Sequence, residues 1–410
     1  MHILFLTQIV PYPPDSGPKV KTYHVLRYLA DCGHQVTLVS FVREHEKPYI
    51  EPLRAHCKEI HPVPINRAKI IDGLAYFESW RSGLPFLVTR DAQSAMQQLI
   101  DQLAQQPFDI VHADQLTMAQ YAIQFRRACN VRSKTSPAIV FDAHNAVYEI
   151  VERARQTAMP FLRPVLGIEA GRLKKYEGSL VEQFDQTLAV SEIDKQALLQ
   201  VSRSPVHASK ISVIPIAVDC AALQPVQISD RPNNILTVST LFYPPNADGV
   251  RWFLREVFPS VQRQIPNVTL NVVGPRPPKD IIVYGAQHVD CVQVTGYVPD
   301  LQKYFEQAAL MVVPVRAGSG MRVRILEALA RGMPIVTTTT GVEGIEAIHE
   351  KHLLVADEPG NFADAVVRLL EDRALANQLA QHGRQLAEQK YDWRAVLPRL
   401  GLVYKSLDSN

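Results

Sequence analysis

The 410-residue chain lacks the sequence features that mark several protein classes. Its five cysteines are odd in number and never form a Cys-x-x-Cys pair, which argues against a disulfide framework and favours reduced thiols in a cytosolic protein. No run of about eighteen apolar residues occurs, so no membrane-spanning helix is predicted. There is no Gly-Lys-Ser/Thr phosphate loop, and the turn after the first predicted strand holds one glycine. These absences count against a P-loop NTPase and against a dinucleotide-binding oxidoreductase.

The sequence also lacks the patterns that are typical of nucleic-acid-binding and metal-binding proteins. The formal net charge is +2, and no basic strip with interleaved aromatic residues is visible, so we expect no nucleic-acid partner. No two aspartates lie two positions apart, and the thirteen histidines show no zinc-type spacing. We therefore expect no bound metal and no cofactor. The chain opens on a predicted strand, without a basic and apolar leader, which leads us to expect a cytoplasmic location.

Length and alternation indicate two α/β domains. A chain of 410 residues is too long for one ordinary core. Short apolar runs alternate with helical patterns in both halves, which is typical of doubly wound parallel sheets of the Rossmann type. We place the domains at 1–217 and 218–392, and expect a closing segment at about 393–410 to return to the first domain.

The segment from Gly318 to Val336, GSGMRVRILEALARGMPIV, carries the strongest pattern for ligand binding. Gly318, Ser319 and Gly320 form a small-residue loop whose backbone N–H groups can approach an anion closely. A helix follows, and its positive dipole end faces the same anion. The pattern predicts a site for a diphosphate.

Charged side chains on that helix extend the prediction. We expect Arg322 in the first helical turn, and Arg324 and Glu327, three apart, on one face. Guanidinium groups can stabilise a diphosphate leaving group, and a carboxylate can hold ribose hydroxyl groups. A glycine loop before a solvated helix would by itself be an ordinary α/β feature.

The whole string resembles the donor-site signature of the family 4 retaining glycosyltransferases of the GT-B architecture. The resemblance covers nearly all of the chain and is specific mainly from about Leu236 to Tyr391. It implies two Rossmann-like domains that face a cleft, with the donor bound by the second domain. Glu327 matches the ribose-binding glutamate of the family, and Arg324 stands where its signature usually has lysine.

The chain departs from the family pattern at two places. Many members carry a further glutamate eight positions before the ribose-binding one, where this chain has Ser319. The usual phosphate-binding Arg and Lys early in the second domain are also missing, since the matching segment reads STLFYPPNADGVRW. Arg322 and Arg324 are the evident replacements.

Two positions in the first domain gain a role from the resemblance. His144 follows a predicted strand, AIVFDA, at the edge where open α/β sheets bind ligands. A histidine there can equally be a structural turn residue, but family members commonly use one to contact the donor sugar. Gly17 matches a glycine that lets the backbone approach the diphosphate and the acceptor. Asp15, Lys19 and Lys21 lie beside it; we expect them on a solvated surface, with contacts to the acceptor as the alternative.

The resemblance implies a retaining transfer of a sugar from a nucleoside diphosphate to a hydroxyl group of a glycan or lipid-linked acceptor, in cell-envelope or exopolysaccharide synthesis. Arg322 and Arg324 would stabilise the leaving group, with His144 at the reacting sugar. Val298 would lie against the nucleobase, and no metal would be required. Two alternatives stay open: a nucleotide-sugar isomerase or epimerase of the same fold, and a non-catalytic glycan-binding module.

The segment from Phe161 to Phe184 suggests a second kind of contact. It combines apolar residues with the bases Arg163, Arg172, Lys174 and Lys175. A helix packed on its own sheet explains the pattern equally well. If the acceptor is lipid-linked, weak peripheral binding to an anionic membrane, at the inner face of the plasma membrane, is expected.

Overall fold

The computed structural model describes residues 1–66, 69–131, 136–202, 205–226 and 233–408. The chain divides into two compact units. Unit 1 comprises Met1–Ala217 together with Val396–Asn410, and unit 2 comprises Val218–Ala395.

Unit 1 is built on a parallel sheet of seven strands among the described residues, in the order β3-β2-β1-β4-β5-β6-β7. The strands are β1 (His2–Thr7), β2 (Gln35–Val42), β3 (Glu59–Pro64), β4 (Ile110–Asp114), β5 (Ala138–Ala143), β6 (Gln186–Ala189) and β7 (Ile211–Val213). The helices of this unit are α1 (Gly17–Asp31), α2 (Lys69–Ser82), α3 (Phe86–Arg90), α4 (Ser94–Leu103), α5 (Ala119–Val131), α6 (Val147–Thr157), α7 (Arg163–Gln183), α8 (Glu192–Val201) and, after unit 2, α18 (Pro398–Asp408).

Unit 2 repeats the same plan with six parallel strands among the described residues, in the order β10-β9-β8-β11-β12-β13. The strands are β8 (Asn234–Val238), β9 (Thr269–Val273), β10 (Val292–Thr295), β11 (Leu310–Val313), β12 (Ile335–Thr337) and β13 (Leu354–Val355). The helices are α9 (Pro244–Trp252), α10 (Phe258–Gln264), α11 (Lys279–Gln287), α12 (Gln302–Gln307), α13 (Val323–Ala330), α14 (Thr339–Val342), α15 (Pro359–Glu371) and α16 (Arg373–Lys390), with α17 (Trp393–Val396) at the unit boundary.

The central strands are apolar on both faces because helices cover both sides of each sheet. Leu4 and Phe5 in unit 1, and Val272 and Val312 in unit 2, are fully buried. The prediction of a doubly wound parallel sheet in each half is therefore confirmed.

Two local features of unit 1 are not evident from the sequence. The edge strand β3 was not predicted, because its sequence EIHPVP contains two prolines and alternates poorly, as edge strands often do. Ser191 caps α8 by accepting from the backbone N–H of Asp194, 3.1 Å away. The side chain of Asp194 does not complete a capping box: it accepts from the Ser191 hydroxyl and from the backbone N–H of Ala146.

The order of the strands fixes where each unit can bind a ligand. In both sheets the chain winds outward in one direction from the first strand and then in the other, so the direction reverses between β1 and β4 and between β8 and β11. Loops leaving the carboxyl ends of two such strands diverge and leave a crevice between them. Asp114 ends β4, and the segment from Pro314 to Arg322 follows β11.

A buried carboxyl group holds the segment that follows β5. Glu177 of α7 is fully buried and accepts from the backbone N–H groups of Val147 and Tyr148, each at 2.8 Å. These are the first two N–H groups of α6, which lack partners within the helix itself. Together with Asp194, which binds the N–H of Ala146, Glu177 anchors the segment just after His144.

The first half of α7 exposes an apolar surface. Phe161, in the turn just before the helix, is 70% exposed, and Val165 and Ile168 within it are 57% and 60% exposed, whereas Leu173 and Leu180 further along are buried in the core. The interpretation of the whole stripe as an ordinary core face is thus wrong for this half.

The neighbouring helix α2 adds to this surface. Its Leu74, Phe77 and Trp80 are also exposed, and Arg172 of α7 donates to the Ser79 hydroxyl of α2 at 3.0 Å. Within the described ranges, no helix combines the length and apolar character needed to cross a bilayer.

The buried Glu177 should make stability depend on pH. Burial raises its pKa to about 8, above the value of about 4.3 expected in the unfolded chain, although the two backbone donors oppose the rise. The folded state then binds a proton more tightly, so this contribution to stability is present at low pH and is lost as the pH rises toward 8. Glu177→Gln does not titrate. Its melting temperature, relative to that of the natural protein, should therefore increase by several °C, corresponding to roughly 3 kcal/mol, between about pH 5 and pH 8.

Glu44→Gln is the control, because Glu44 is 86% exposed. Its melting temperature is expected to follow that of the natural protein throughout the pH range. A difference between Glu177→Gln and the natural protein that stays constant with pH would contradict the expected titration.

Candidate active site

The glycine loop lies at the carboxyl end of β11, beside the point where the sheet of unit 2 reverses direction. Gly318 and Gly320 have φ angles of +108° and +84°, a backbone conformation that side chains disfavour. Ser319 lies between them, and its hydroxyl oxygen is buried without a hydrogen-bond partner among the described residues. The loop thus offers backbone N–H groups and one hydroxyl that a ligand could engage.

Arg322 differs from its predicted position. It occupies the cap position, with an extended backbone, and α13 begins at Val323. Its guanidinium group donates to the carbonyl oxygens of Ser319 and Gly320 at 2.7 and 2.6 Å. Arg322 therefore shapes the loop that would bind a phosphate and places its positive charge beside that loop.

Arg324 and Glu327 lie on one face of α13, as predicted, and form an ion pair of 2.5 Å. Their side chains are 26% and 13% exposed. The carboxylate already balances much of the charge on Arg324. An anionic ligand would have to compete with Glu327 or bind to other N–H groups of the same guanidinium.

A third cation at this edge of the sheet was missed from the sequence. Arg276 follows β9 with a φ angle of +51°, and its guanidinium lies 3.6 Å from the ring centroid of Phe242, which follows β8. Positive φ is uncommon in residues other than glycine and often marks functional loops. The string GPRPP, with prolines around one arginine, is the sequence signal that could have drawn attention to it.

The remaining predicted positions are ordinary in their local structure. Val298 follows the edge strand β10 in a loop and is half-buried. Gly17 is the first residue of α1, directly after Ser16, which has extended backbone. It lies at the start of the helix that follows β1, on the side of the sheet where Asp114 ends β4.

The carboxyl edge of the sheet in unit 1 holds a buried ion pair. Lys21 of α1 bonds to Asp142 of β5, and both side chains are almost fully buried. Burial alone would raise the pKa of Asp142, but the Lys21 ammonium group, with His112 and His144, lowers it below the ordinary value. The expectation that Lys21 lies on a solvated surface is wrong. Asp15 and Lys19, by contrast, form a partly exposed pair at 3.3 Å.

His144 lies next to this pair and contacts a second buried carboxylate. It directly follows β5, and its Nε2 is 2.7 Å from Oδ1 of Asp114. The other oxygen, Oδ2, accepts from the hydroxyl groups of Thr7 and Thr22 at 2.8 and 2.9 Å. The imidazole is therefore held in a fixed orientation by the carboxylate.

A histidine and a tyrosine complete the cluster. Nδ1 of His112 is 2.6 Å from the hydroxyl of Tyr404 in α18, and its Nε2 is 3.4 Å from Asp142. Burial, and then the negative charges of Asp142 and Asp114, raise the pKa of Tyr404 well above its ordinary value. The phenol thus stays protonated and donates to His112.

The donors of this cluster could in principle bind a cation. One ligand atom each from His112, Asp114 and Asp142 lies within 4.8 Å of the others. However, the Lys21 ammonium already stands against Asp142, and Asp114 already receives two hydroxyl groups and an imidazole. The residues fit a network of contacts between protein groups better than a metal centre.

Solved structures with the same fold support this description. Sucrose-phosphate synthase from Thermosynechococcus elongatus superimposes with a TM-score of 0.70 at 18% identity, with 100% of each chain covered. HepE from Anabaena, solved in complex with UDP and glucose, gives a TM-score of 0.69 at 15% identity, with 99% of this chain and all of HepE covered. The two parallel-sheet units define the fold of the GT-B glycosyltransferases.

Family models assign the chain more closely. A model described as Glycosyltransferase Family 4 matches residues 16–222, and one described as Glycosyl transferases group 1 matches residues 232–372. The chain belongs to glycosyltransferase family 4.

Among curated relatives, an uncharacterized 44.6 kDa protein in the cps region of Klebsiella pneumoniae is 22% identical, with 96% of this chain and 97% of that protein covered. A phosphatidylinositol N-acetylglucosaminyltransferase component of Arabidopsis thaliana is 30% identical over 54% of this chain and 49% of its own length. A GDP-mannose-dependent alpha-(1-6)-phosphatidylinositol monomannoside mannosyltransferase of Mycobacterium tuberculosis is 29% identical over 35% of this chain and 40% of its own length.

Proposed function

We propose that the protein is a retaining glycosyltransferase that moves a sugar from a nucleoside diphosphate to a hydroxyl group of a glycan or lipid-linked acceptor. The observation that carries the proposal is the Gly318–Gly320 loop at the carboxyl edge of unit 2, where two glycines adopt positive φ angles and the Ser319 hydroxyl is buried without a partner among the described residues. Anion binding at such loops, where a helix begins, is a general property of α/β sheets. The relative in a cps region supports a role in cell-envelope or exopolysaccharide synthesis.

The proposed roles follow from the positions of the side chains. The N–H groups of Ser319 and Gly320 bind the diphosphate, and Arg322 holds the loop in shape while supplying positive charge. Arg324 approaches the departing phosphate as Glu327 turns to the ribose, so donor binding exchanges their mutual ion pair for two ligand contacts. Val298 lies against the nucleobase.

Unit 1 supplies the acceptor side of the reaction. Gly17 lets the backbone at the start of α1 approach the substrates, and His144 contacts the sugar that is transferred. The acceptor attacks from the side of the leaving group, whose β-phosphate takes the proton of the attacking hydroxyl, so no protein carboxylate has to act as base. Two relatives have phosphatidylinositol in their names, which supports a lipid-linked acceptor.

Donor screening tests the proposal directly. A nucleotide sugar present at about 100 times its dissociation constant adds roughly 2.7 kcal/mol to the stability of the protein that binds it. UDP-, GDP-, ADP- and dTDP-sugars should therefore separate by melting temperature, and the stabilising donor should support transfer to an acceptor. Conversion of that donor without an acceptor would instead indicate an isomerase or epimerase. Binding without any turnover would indicate a glycan-binding module, the alternative raised by Ser319.

Substitutions in α13 should separate turnover from donor affinity. Arg324→Ala removes a positive charge that would stabilise the leaving group. We therefore expect turnover to fall by two or more orders of magnitude, about 3 kcal/mol, with folding intact. Glu327→Ala should weaken the donor dissociation constant more than turnover, because no charge develops at the ribose. Arg255→Ala, at a side chain that is 62% exposed, is the control. If Arg324→Ala turns over as fast as the natural protein, Arg324 does not contact the leaving group. If Glu327→Ala has an unchanged donor dissociation constant, Glu327 does not bind the donor.

We further propose that transfer needs no metal, because guanidinium groups and backbone N–H groups take the place of a cation at the diphosphate. Steady-state transfer should then be unchanged in excess EDTA. Loss of activity that is restored by added magnesium or manganese would contradict this part of the mechanism.

A peripheral membrane contact through unit 1 accompanies the lipid-linked acceptor. The exposed apolar side chains of α7 and α2 share one surface with Lys174 and Lys175, whose side chains are also exposed. Aromatic and aliphatic groups can enter the interfacial region of a bilayer, and each base near an anionic surface adds about 1 kcal/mol. This arrangement supports a location at the inner face of the plasma membrane.

Vesicle binding checks the membrane contact. We expect weak, salt-sensitive flotation with anionic vesicles, reduced at least several-fold by Lys174→Glu with Lys175→Glu, and also by Trp80→Ser with Phe77→Ser. Arg172 is left unchanged because it bonds to Ser79. Lys47→Glu with Arg54→Glu changes the net charge equally on another exposed segment of unit 1 and should float normally. Absence of flotation at low salt would indicate an enzyme that acts on a soluble acceptor.

A further inference from the structure

Asp114 is placed to control one atom of His144. It is the last residue of β4, at the point where the sheet of unit 1 reverses direction, and it is fully buried. The Thr7 hydroxyl lies 2.8 Å from its Oδ2, and the Thr22 hydroxyl lies 2.9 Å both from Oδ2 and from the carbonyl oxygen of Pro18. Oδ1 is left for Nε2 of His144 at 2.7 Å. The carboxylate therefore faces hydroxyl groups on one side and receives the imidazole on the other.

This contact decides which nitrogen of the neutral imidazole carries the proton. A carboxylate accepts only, so Nε2 must be the protonated nitrogen and Nδ1 must keep its lone pair. Nδ1 is buried and has no hydrogen-bond partner among the described residues. The side chain as a whole is about nine-tenths buried, since 7% of its surface is exposed. An unpaired buried acceptor is costly unless a ligand supplies the donor.

We propose that Asp114 is a positioning residue for glycosyl transfer, which holds His144 as the Nε2–H tautomer so that Nδ1 accepts a hydrogen bond from a hydroxyl group of the sugar substrate. The inference rests on the proposed function, since it takes the sugar as the ligand of His144. The nearby charges leave this assignment intact, because Lys21 is engaged with Asp142. His112 is engaged with Tyr404.

The substitution Asp114→Asn should reverse the tautomer. The Thr7 hydroxyl, 2.8 Å from Oδ2, would continue to donate to the side-chain oxygen, so the amide NH₂ would take the place of Oδ1. That NH₂ would donate to Nε2, and the ring proton would have to move to Nδ1. His144 would then present a donor where the substrate hydroxyl needs an acceptor.

The first measurement is the tautomer itself, read from the ¹⁵N shifts of histidine in the free protein. We expect His144 to be protonated at Nε2 in the natural protein and at Nδ1 in Asp114→Asn. Thr22→Val is the matched control, because it removes one donor from Oδ2 and keeps the contact between Asp114 and His144. Its tautomer should be that of the natural protein. A natural protein protonated at Nδ1 would overturn the proposal without any variant.

The second measurement is a double-mutant cycle on transfer. Asp114→Asn should lower kcat by about a hundredfold or more, change the KM of the donor less than about threefold, and retain a cooperative melting transition. If Asp114 acts through His144, adding Asp114→Asn to His144→Ala should cause no further loss. If the losses of kcat in the two single variants multiply in the double variant, Asp114 has a separate structural role, and the proposal is overturned.

The two measurements also separate this inference from the proposed function. A tautomer that reverses in Asp114→Asn while no nucleotide sugar supports transfer would contradict the proposed reaction and, with it, the role of Asp114 in transfer. Transfer that proceeds normally in Asp114→Asn would overturn the role of Asp114 and leave the glycosyltransferase activity standing.

Discussion

The buried ion pair between Lys21 and Asp142 is the interaction on which the edge of unit 1 depends. It joins the first helix to the middle of the sheet, in a place where neither charge reaches water. Removing one partner of such a pair typically costs about 3–5 kcal/mol, because the other charge stays buried and uncompensated. The ammonium group also allows two carboxylates, Asp142 and Asp114, to lie in one cluster with His144. Without it, repulsion and desolvation would favour a protonated carboxyl over the charged form that orients the histidine.

The two units use the same sheet topology for opposite electrostatic purposes. At its reversal point unit 1 gathers carboxylates, imidazoles and one internal cation in a cluster of short contacts, with Nδ1 of His144 left without a partner among the described residues. At the corresponding point unit 2 gathers backbone N–H groups and guanidinium groups around two glycines. The first arrangement suits neutral hydroxyl groups, and the second suits an anion. This division is consistent with a donor whose charge lies in its diphosphate and an acceptor that reacts through a hydroxyl group.

The sequence predicted those parts of the fold that depend on neighbours in the chain. Apolar runs marked the central strands, and the glycine loop and the face shared by Arg324 and Glu327 could be read from spacing alone. Contacts between residues that lie far apart in the chain could not be predicted in this way. The partner of Lys21 lies 121 positions away, so a lysine on a helix was taken for a surface residue. The sequence signal for these contacts was a charged residue inside an apolar strand, as in IVHAD and AIVFDA. Such a residue needs a partner of opposite charge or a hydrogen-bond donor when it is buried. The bonds of Arg322 to loop carbonyls likewise depend on backbone conformation that spacing does not reveal.

The contact between Tyr404 and His112 has a consequence for how the protein is made. His112 lies in the centre of unit 1, yet its hydrogen-bond partner, the Tyr404 hydroxyl, belongs to α18, which is translated after all of unit 2. Domains commonly fold in the order in which they leave the ribosome. Here unit 1 cannot complete its structure while the roughly 180 residues of unit 2 are synthesised. During that time His112 lacks the Tyr404 hydroxyl, and Tyr28 is not yet in contact with Gly401. Unit 2 can therefore reach its final structure before unit 1, although unit 1 begins first.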